Sequence, residues 1–163
     1  MELKPLQKCI ISAVKEFLYE SDVAFNARDK EFSLLHHNPS FAKDFHSIEF
    51  LLPRRSGSTH IIHQLCHIYN GLVIMPFASY VGLFLKNHAK LFPGDKPIVI
   101  TIHQAKESHN MLVTDFELLK QISDALKRSN VILFDAFRAY DENSAVKHLM
   151  KELGRTHRFV FFR

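Results

Sequence analysis

Two polar segments of the sequence contain residue types that suit the binding of a phosphate group. Residues 53–59 read Pro-Arg-Arg-Ser-Gly-Ser-Thr and follow an apolar run, and Asp135 directly follows a second apolar run at residues 131–134. A glycine-containing loop that leads from a strand into a helix presents backbone N–H groups and the positive end of the helix dipole to an anion. An aspartate at the end of a neighbouring strand suits a nucleotide-bound magnesium ion. The residues of the predicted phosphate cradle are Arg54, Arg55, Ser56, Gly57, Ser58 and Thr59.

These segments lie between elements that alternate from strand to helix along the chain. Short apolar runs predict strands at residues 48–52, 72–75, 98–102, 131–134 and 158–162. Helical spacing of apolar residues predicts helices at 5–18, 61–69, 79–92, 114–128 and 144–153. Apolar runs that are separated by helices are typical of a parallel sheet buried on both faces. The expected fold is therefore an α/β three-layer sandwich of about five parallel strands with an N-terminal helix.

The chain is expected to form one domain over residues 1–163. Its sheet core spans residues 47–163, and residues 1–46 hold the first helix and an irregular segment at 20–46, where apolar residues show no clear period and one short helix could form. Ligands of open parallel sheets bind beyond the carboxyl ends of the strands. We therefore expect Gly57 and Asp135 to lie at the same edge of the sheet.

The order of residues at 51–59, Leu-Leu-Pro-Arg-Arg-Ser-Gly-Ser-Thr, resembles the Walker A region of P-loop ATPases. The nearest branch is that of the viral large terminases and superfamily-two helicases. Residues 3–7 are similar to the glutamine-containing segment of those helicases that recognises adenine, and residues 131–135 are similar to Walker B. Residues 72–77 and 158–162 are similar to the second strand and to the strand that carries the coupling motif. The resemblance covers most of the chain apart from about residues 20–46.

The resemblance implies a P-loop-like fold that binds ATP with magnesium. It assigns adenine recognition to Gln7, the magnesium-binding hydroxyl to Thr59, and magnesium binding and the catalytic carboxylate to Asp135. It also implies that the partners include a nucleotide and either a nucleic acid or a viral or host protein.

Three departures from the family pattern bear on activity. Ser58 stands where the motif has its phosphate-binding lysine, Leu52 stands where it has its first glycine, and Ala136 stands where an acidic residue orients the attacking water. Arg54 or Arg55 could replace the lysine charge. The sequence favours a degenerate, noncatalytic domain of viral origin that binds a phosphate-containing ligand or a protein and assists nucleic-acid machinery. The alternatives are an ATP-hydrolysing motor domain and a ligand-free interaction or regulatory protein.

Three histidines follow the loop at spacings that place them on one helix face. His60, His63 and His67 stand at i, i+3 and i+7, and Cys66 is close to His63. Imidazole and thiolate are zinc ligands, so the pair His63 and His67 could bind a metal ion. The alternative is an ordinary polar face opposite the apolar side of an amphipathic helix.

The final predicted strand is rich in aromatic residues, which allows two interpretations. Residues 159–162 read Phe-Val-Phe-Phe between Arg158 and Arg163. Stacking aromatics beside cations can bind single-stranded nucleic acid, whereas a buried core strand has the same composition. The sequence favours the core strand.

Composition excludes several classes of protein. The chain has 163 residues, a net charge of +4, and two cysteines, Cys9 and Cys66, which are too few for a disulfide framework. No apolar run reaches the roughly 18 residues of a membrane span, and the N-terminus does not resemble a signal peptide. We expect a cytoplasmic protein without a membrane partner. Its mild basic charge is compatible with a phosphate-bearing ligand.

Overall fold

The computed structural model describes residues 3–28, 46–53, 56–109, 116–135, 144–154 and 156–163. The helices within these residues are α1 (Pro5–Arg28), α2 (Ser58–Tyr69), α3 (Ala78–Leu91), α4 (Ile102–His109), α5 (Phe116–Arg128) and α6 (Ser144–Leu153). The strands are β1 (Ser47–Phe50), β2 (Leu72–Met75), β3 (Val99–Thr101), β4 (Val131–Asp135) and β5 (Arg158–Phe162).

The five strands form one sheet in the order β1-β5-β4-β2-β3, and every pair is parallel. The prediction of an α/β fold with a five-stranded parallel sheet and an N-terminal helix is confirmed. All five carboxyl ends consequently meet at one edge, which also confirms that the loop after β1 and the end of β4 share an edge.

Helices cover both faces of the sheet, because successive residues of a strand point to opposite sides. Val131 and Leu133 of β4 pack with α1, α2 and α3, whereas Ile132 and Phe134 pack with α4, α5 and α6. Buried side chains of the first layer include Ile10, Val14, Ile61, Ile62, Leu65 and Phe84. Those of the second layer include Ala105, Ile122, Ala125, Val146, Leu149 and Met150. The two clusters form the interior of a three-layer sandwich.

The aromatic strand β5 lies in the middle of this interior. Phe159, Phe161 and Phe162 have no exposed surface. The core interpretation is therefore confirmed, and the nucleic-acid interpretation of these rings is wrong, because a buried ring cannot stack on a base.

The first helix is longer than its apolar pattern indicates. It continues from Leu18 to Arg28, so the expectation of irregular structure from residue 20 is wrong for 20–28. The extension makes a tertiary contact: the guanidinium of Arg158, at the start of β5, donates to Asp22 Oδ1 over 3.0 Å. The rest of the segment expected to be irregular, residues 29–45, lies outside the described residues.

The helix α4 was not expected from the sequence, which predicts strand up to residue 102. The side chain of Gln104 accepts a hydrogen bond from the backbone N–H of Thr101, and Thr101 Oγ1 accepts one from the backbone N–H of Gln104. This reciprocal pair is a capping box, which ends β3 and begins the helix at once. The first two residues of the helix predicted at 114–128 lie outside the described residues.

Among the described helices, none has both the length and the apolar character needed to cross a bilayer.

Candidate functional site

The register of the sheet places Asp135 two strands away from the end of β1. Phe50 of β1 and Asp135 of β4 both pair with Phe162 of β5. Because both residues pair with Phe162, the end of β1 and Asp135 lie at the same height at the carboxyl edge. Neighbouring strands are about 4.8 Å apart. Asp135 stands at every second position of β4 together with Val131 and Leu133. Its side chain is therefore on the face that α2 and α3 cover.

The loop after β1 turns into α2 at a glycine. Gly57 has φ +86° and is the N-cap residue of α2, and its carbonyl accepts hydrogen bonds from the N–H groups of His60 and Ile61. As a glycine, Gly57 has no side chain to cap this helix, so the N–H groups of Ser58 and Thr59 are suited to binding an anion. Among the described residues, neither Ser56 Oγ nor His60 Nε2 has a hydrogen-bond partner, although both atoms are buried.

A cavity of about 210 Å³ lies between the first turn of α2, the helix α3 and the carboxyl ends of β2 and β4. Thr59 and Asp135 line it together, although 76 residues separate them in the sequence. The remaining lining residues are Met75, Tyr80, Leu83, Phe84 and Asn87. The cavity is smaller than the roughly 300–1,000 Å³ of typical ligand pockets, and most of its lining side chains are apolar.

Gln7, the residue assigned to adenine recognition, packs against the loop itself. Its Oε1 accepts a hydrogen bond from the backbone N–H of Lys4 over 2.9 Å. Its Nε2 is 2.4 Å from the point where a Cβ on Gly57 would lie. Gln7 is only 6% exposed, so in this structure its side chain supports the turn and presents little surface to a base.

The structure thus brings together two of the residues that the sequence assigned to the site, since Thr59 and Asp135 line one cavity. Gly57 is the N-cap residue of α2, two positions before Thr59. Ser58 is half-buried in the first turn of α2. The predicted phosphate ligands Arg54 and Arg55, together with Ala136, lie outside the described residues.

Tyr80 and Asn87 are cavity residues that sequence reasoning missed. Both belong to α3, the helix that follows the carboxyl end of β2. The general rule that ligands bind at carboxyl ends could have indicated this helix. The individual residues could not be identified, because which face of α3 lines the cavity depends on how that helix packs.

The histidines of α2 do not form a zinc site. His63 Nδ1 lies 3.1 Å from His88 Nδ1 on α3, whereas His67 Nδ1 lies 2.6 Å from Asp95 Oδ2. Within the part of the chain that the structure describes, no three His, Cys, Asp or Glu side chains are placed to hold a metal ion. The alternative of a uniformly polar face is also wrong for His63, which is 3% exposed because its ring stacks on Phe84 at a centroid distance of 3.9 Å.

The two cysteines differ in their environment. Cys9 is exposed on α1, and Cys66 is buried in α2. Burial, with a smaller effect of the nearby Asp95 carboxylate, raises the pKa of Cys66 to about 12. Its thiol is therefore protonated at neutral pH and is a poor nucleophile.

The arrangement can hold an anion and a cation side by side. The first N–H groups of α2 could donate to an anion, and the hydroxyl of Thr59 and the carboxylate of Asp135 are oxygen donors that share one cavity. Two protein oxygens suit Mg²⁺, which usually keeps several waters and takes its other ligands from substrate phosphates. No protein-family model matches this chain, and neither a curated protein nor a solved structure does.

Proposed function

We propose that this protein binds the polyphosphate group of a nucleotide, with magnesium, at the carboxyl edge of its sheet and hydrolyses it slowly or not at all. The observation that carries the proposal is the shared cavity of Thr59 and Asp135 beside the uncapped start of α2. An assisting role for nucleic-acid machinery, of viral origin, is the biological context that we propose for this activity.

The phosphate side of the site depends on backbone groups. A helix N-terminus carries about half a positive elementary charge, and the N–H groups of its first turn point toward an anion. Gly57 lets the chain reach this geometry because its φ is in the left-handed region. The buried atoms Ser56 Oγ and His60 Nε2 have no partner among the described residues and would gain one from a bound phosphate.

The metal side depends on Thr59 and Asp135. Magnesium bound there would neutralise charge on the phosphate oxygens. Asp135 ends a strand whose preceding residues are fully buried, so its carboxylate is anchored to the rigid centre of the sheet rather than to a mobile loop.

Two sequence features argue for weak hydrolysis. Ser58 supplies no cation to the γ-phosphate, and Ala136 supplies no carboxylate to orient water. Losing one well-placed donor of an electrostatic site costs about 100- to 1,000-fold in rate. An arginine could restore the charge, but it would not replace the carboxylate.

Thermal unfolding tests the binding. ATP with Mg²⁺ at about 100 times its dissociation constant should stabilise the protein by about 2.7 kcal/mol. Asp135→Asn and Thr59→Val should each reduce the magnesium-dependent part of this gain. Asp124→Asn is the matched control, because Asp124 is exposed on α5, on the other face of the sheet. Equal gains in Asp135→Asn and Asp124→Asn would contradict the proposed site.

Phosphate release tests the catalytic part separately. The wild type is expected to release phosphate at the background rate, and Asp135→Ala should not differ from it. Robust wild-type turnover that Asp135→Ala abolishes would show that the protein is an active ATPase. Activity gained by Ser58→Lys would show that the missing lysine alone limits the reaction.

A protein-binding function is the second candidate, and exposed apolar side chains favour it. Phe77, Tyr80 and Leu83 are each about half or more exposed beside the cavity. Exposed apolar patches commonly mark interaction sites. If no nucleotide or polyphosphate changes the unfolding temperature, with or without magnesium, the interaction function is favoured over the ligand-binding one.

A further inference from the structure

Four polar side chains form a continuous network between α2, α3 and the turn that follows α3. His63 Nδ1 and His88 Nδ1 are 3.1 Å apart, and both rings are buried. His88 Nε2 lies 3.4 Å from Asp95 Oδ2, an ion-pair distance without hydrogen-bond geometry, and the same oxygen is 2.6 Å from His67 Nδ1. We call His63, His67, His88 and Asp95 the His–Asp network.

The distances determine where the protons of the network lie. Only one proton fits between two Nδ1 atoms at this separation, so one ring donates and the other accepts. A carboxylate beside His88 Nε2 favours the tautomer with a proton on that nitrogen. His88 Nδ1 is then the acceptor, and His63 Nδ1 is the donor. His67 Nδ1–H donates to the carboxylate.

The network also holds the two helices together by ring packing. The ring of His63 stacks on Phe84 of α3, and the ring of His67 stacks on Phe92 at a centroid distance of 4.2 Å. Phe84 is also a wall of the candidate cavity. The contact between α2 and α3 therefore passes through residues whose charge depends on pH.

We propose that the His–Asp network is a pH-sensitive contact that holds α2 against α3 at neutral pH and releases it in mild acid. A second proton on the pair His63 and His88 would place two Nδ1–H groups face to face at 3.1 Å. It would also place a positive charge among buried aromatic rings. The pair can accept that proton only by moving apart, which separates the two helices.

The charges around the pair support this direction. Burial, followed by the nearby His88 and His60, lowers the pKa of His63 to about 4. Burial also lowers the pKa of His88, although the Asp95 carboxylate acts in the opposite sense and His67 adds to the lowering. The titratable groups around the pair, on α2 and in the turn after α3, are His60, Cys66, His67 and Asp95.

Nuclear magnetic resonance of the wild-type protein tests the proton positions. At about pH 7, His88 should be the Nε2–H tautomer and His63 the Nδ1–H tautomer. Neither ring should titrate near 6.5, the ordinary pKa of histidine. A titration of either ring at that value, or the opposite tautomers, would overturn the proposal.

Hydrogen exchange tests the release of the helices. After correction for intrinsic rates, the opening equilibrium of α2 and α3 should rise as the pH falls from about 7 to about 5, by up to tenfold per pH unit for each proton taken up. An opening equilibrium that is flat over this range contradicts the proposal, whatever the variants below do.

The double variant His63→Leu/His88→Leu removes both titrating groups and should remove this pH dependence. His103→Asn is the matched control, because His103 is exposed on α4, on the other side of the sheet, and this variant should keep the wild-type dependence. A double variant that retains the full dependence would overturn the proposal. If the double variant does not fold, the nuclear magnetic resonance and hydrogen-exchange measurements on the wild type decide whether the proposal holds.

Discussion

At the scale of single residues, the candidate site depends on the conformation of Gly57. A positive φ costs a residue that has a Cβ about 1–2 kcal/mol, and at Gly57 a Cβ would also collide with Gln7. The glycine therefore permits both the turn into α2 and the close approach of α1. Gln7 is placed to keep the loop in the orientation that exposes the N–H groups of α2.

Gly57→Ala is expected to destabilise the protein by about 1–2 kcal/mol or more, because it adds strain and a contact. Urea unfolding measures this loss. Gly94→Ala is the matched control: Gly94 also has positive φ, +98°, but nothing lies within 4 Å of its Cβ position. A loss in Gly57→Ala that does not exceed that of Gly94→Ala would mean that Gln7 moves aside freely.

The two arginines of the loop are expected to bind the ligand by charge. The double variant Arg54→Ala/Arg55→Ala should weaken ATP or polyphosphate binding strongly in a titration, because two cations are lost beside the phosphates. Arg128→Ala, at an exposed position of α5, controls for the change in net charge. Unchanged affinity in the double variant would show that these arginines take no part in binding.

At the scale of elements, α3 carries a residue that weakens it without serving a visible contact. Gly82 is exposed in the interior of this helix, and nothing lies within 4 Å of its Cβ position. Gly82→Ala should therefore stabilise the protein by about 0.5–1 kcal/mol through lower backbone entropy in the unfolded chain. A rise in unfolding temperature would confirm this. A loss of stability would show that a side chain at position 82 is unfavourable on this face of α3.

The end of α1 is attached to the sheet by the ion pair between Asp22 and Arg158. Arg158 is 3% exposed, whereas the side chain of Asp22 is half exposed. Asp22→Ala should destabilise the protein by about 1–3 kcal/mol, because a buried guanidinium loses a charged hydrogen-bond partner. Glu16→Gln, at an exposed position of the same helix, should change stability by less than about 0.5 kcal/mol. Equal effects in the two variants would contradict a structural role for the ion pair.

At the scale of the whole molecule, three histidines make stability depend on pH in the same direction. Burial lowers the pKa values of His63, His88 and His157. Each ring therefore binds a proton more weakly in the folded than in the unfolded protein. Their contribution to stability is complete above about pH 6.5, the unfolded value, and is lost as the pH falls toward the folded values.

The free energy of unfolding should thus fall from about pH 6.5 toward about pH 4, with a slope of at most about 1.4 kcal/mol per pH unit for each histidine. Asp95, whose pKa is lowered chiefly by its hydrogen bond from His67, adds a further loss below about pH 4. Urea unfolding at a series of pH values measures both ranges. Constant stability between about pH 7 and about pH 5 would contradict the burial of these rings.

Local patterns accounted for the architecture because they depend on neighbours in the sequence. The apolar runs at 131–134 and 158–162 predicted buried parallel strands, and residues at the carboxyl end of such a strand can only lie at one edge of the sheet. That pattern was sufficient to predict that Gly57 and Asp135 lie at the same edge of the sheet. The capping box at Thr101 was also present in the sequence, but the apolar strand pattern that overlaps it concealed the start of α4.

The tertiary structure alone decided what the side chains contact. The hydrogen bond from Arg158 to Asp22 of α1 spans 136 residues, and the pairing of His63 with His88 spans 25 residues. Periodicity shows that His63 is on a polar face, but burial of that face depends on the packing of α3. The sequence by itself thus determined which segments form strands and that these strands are parallel, because both follow from local pattern and chain connectivity. The order of the strands in the sheet, β1-β5-β4-β2-β3, came from the tertiary structure. The cavity wall and the His–Asp network were decided by helix packing, which no local pattern specifies.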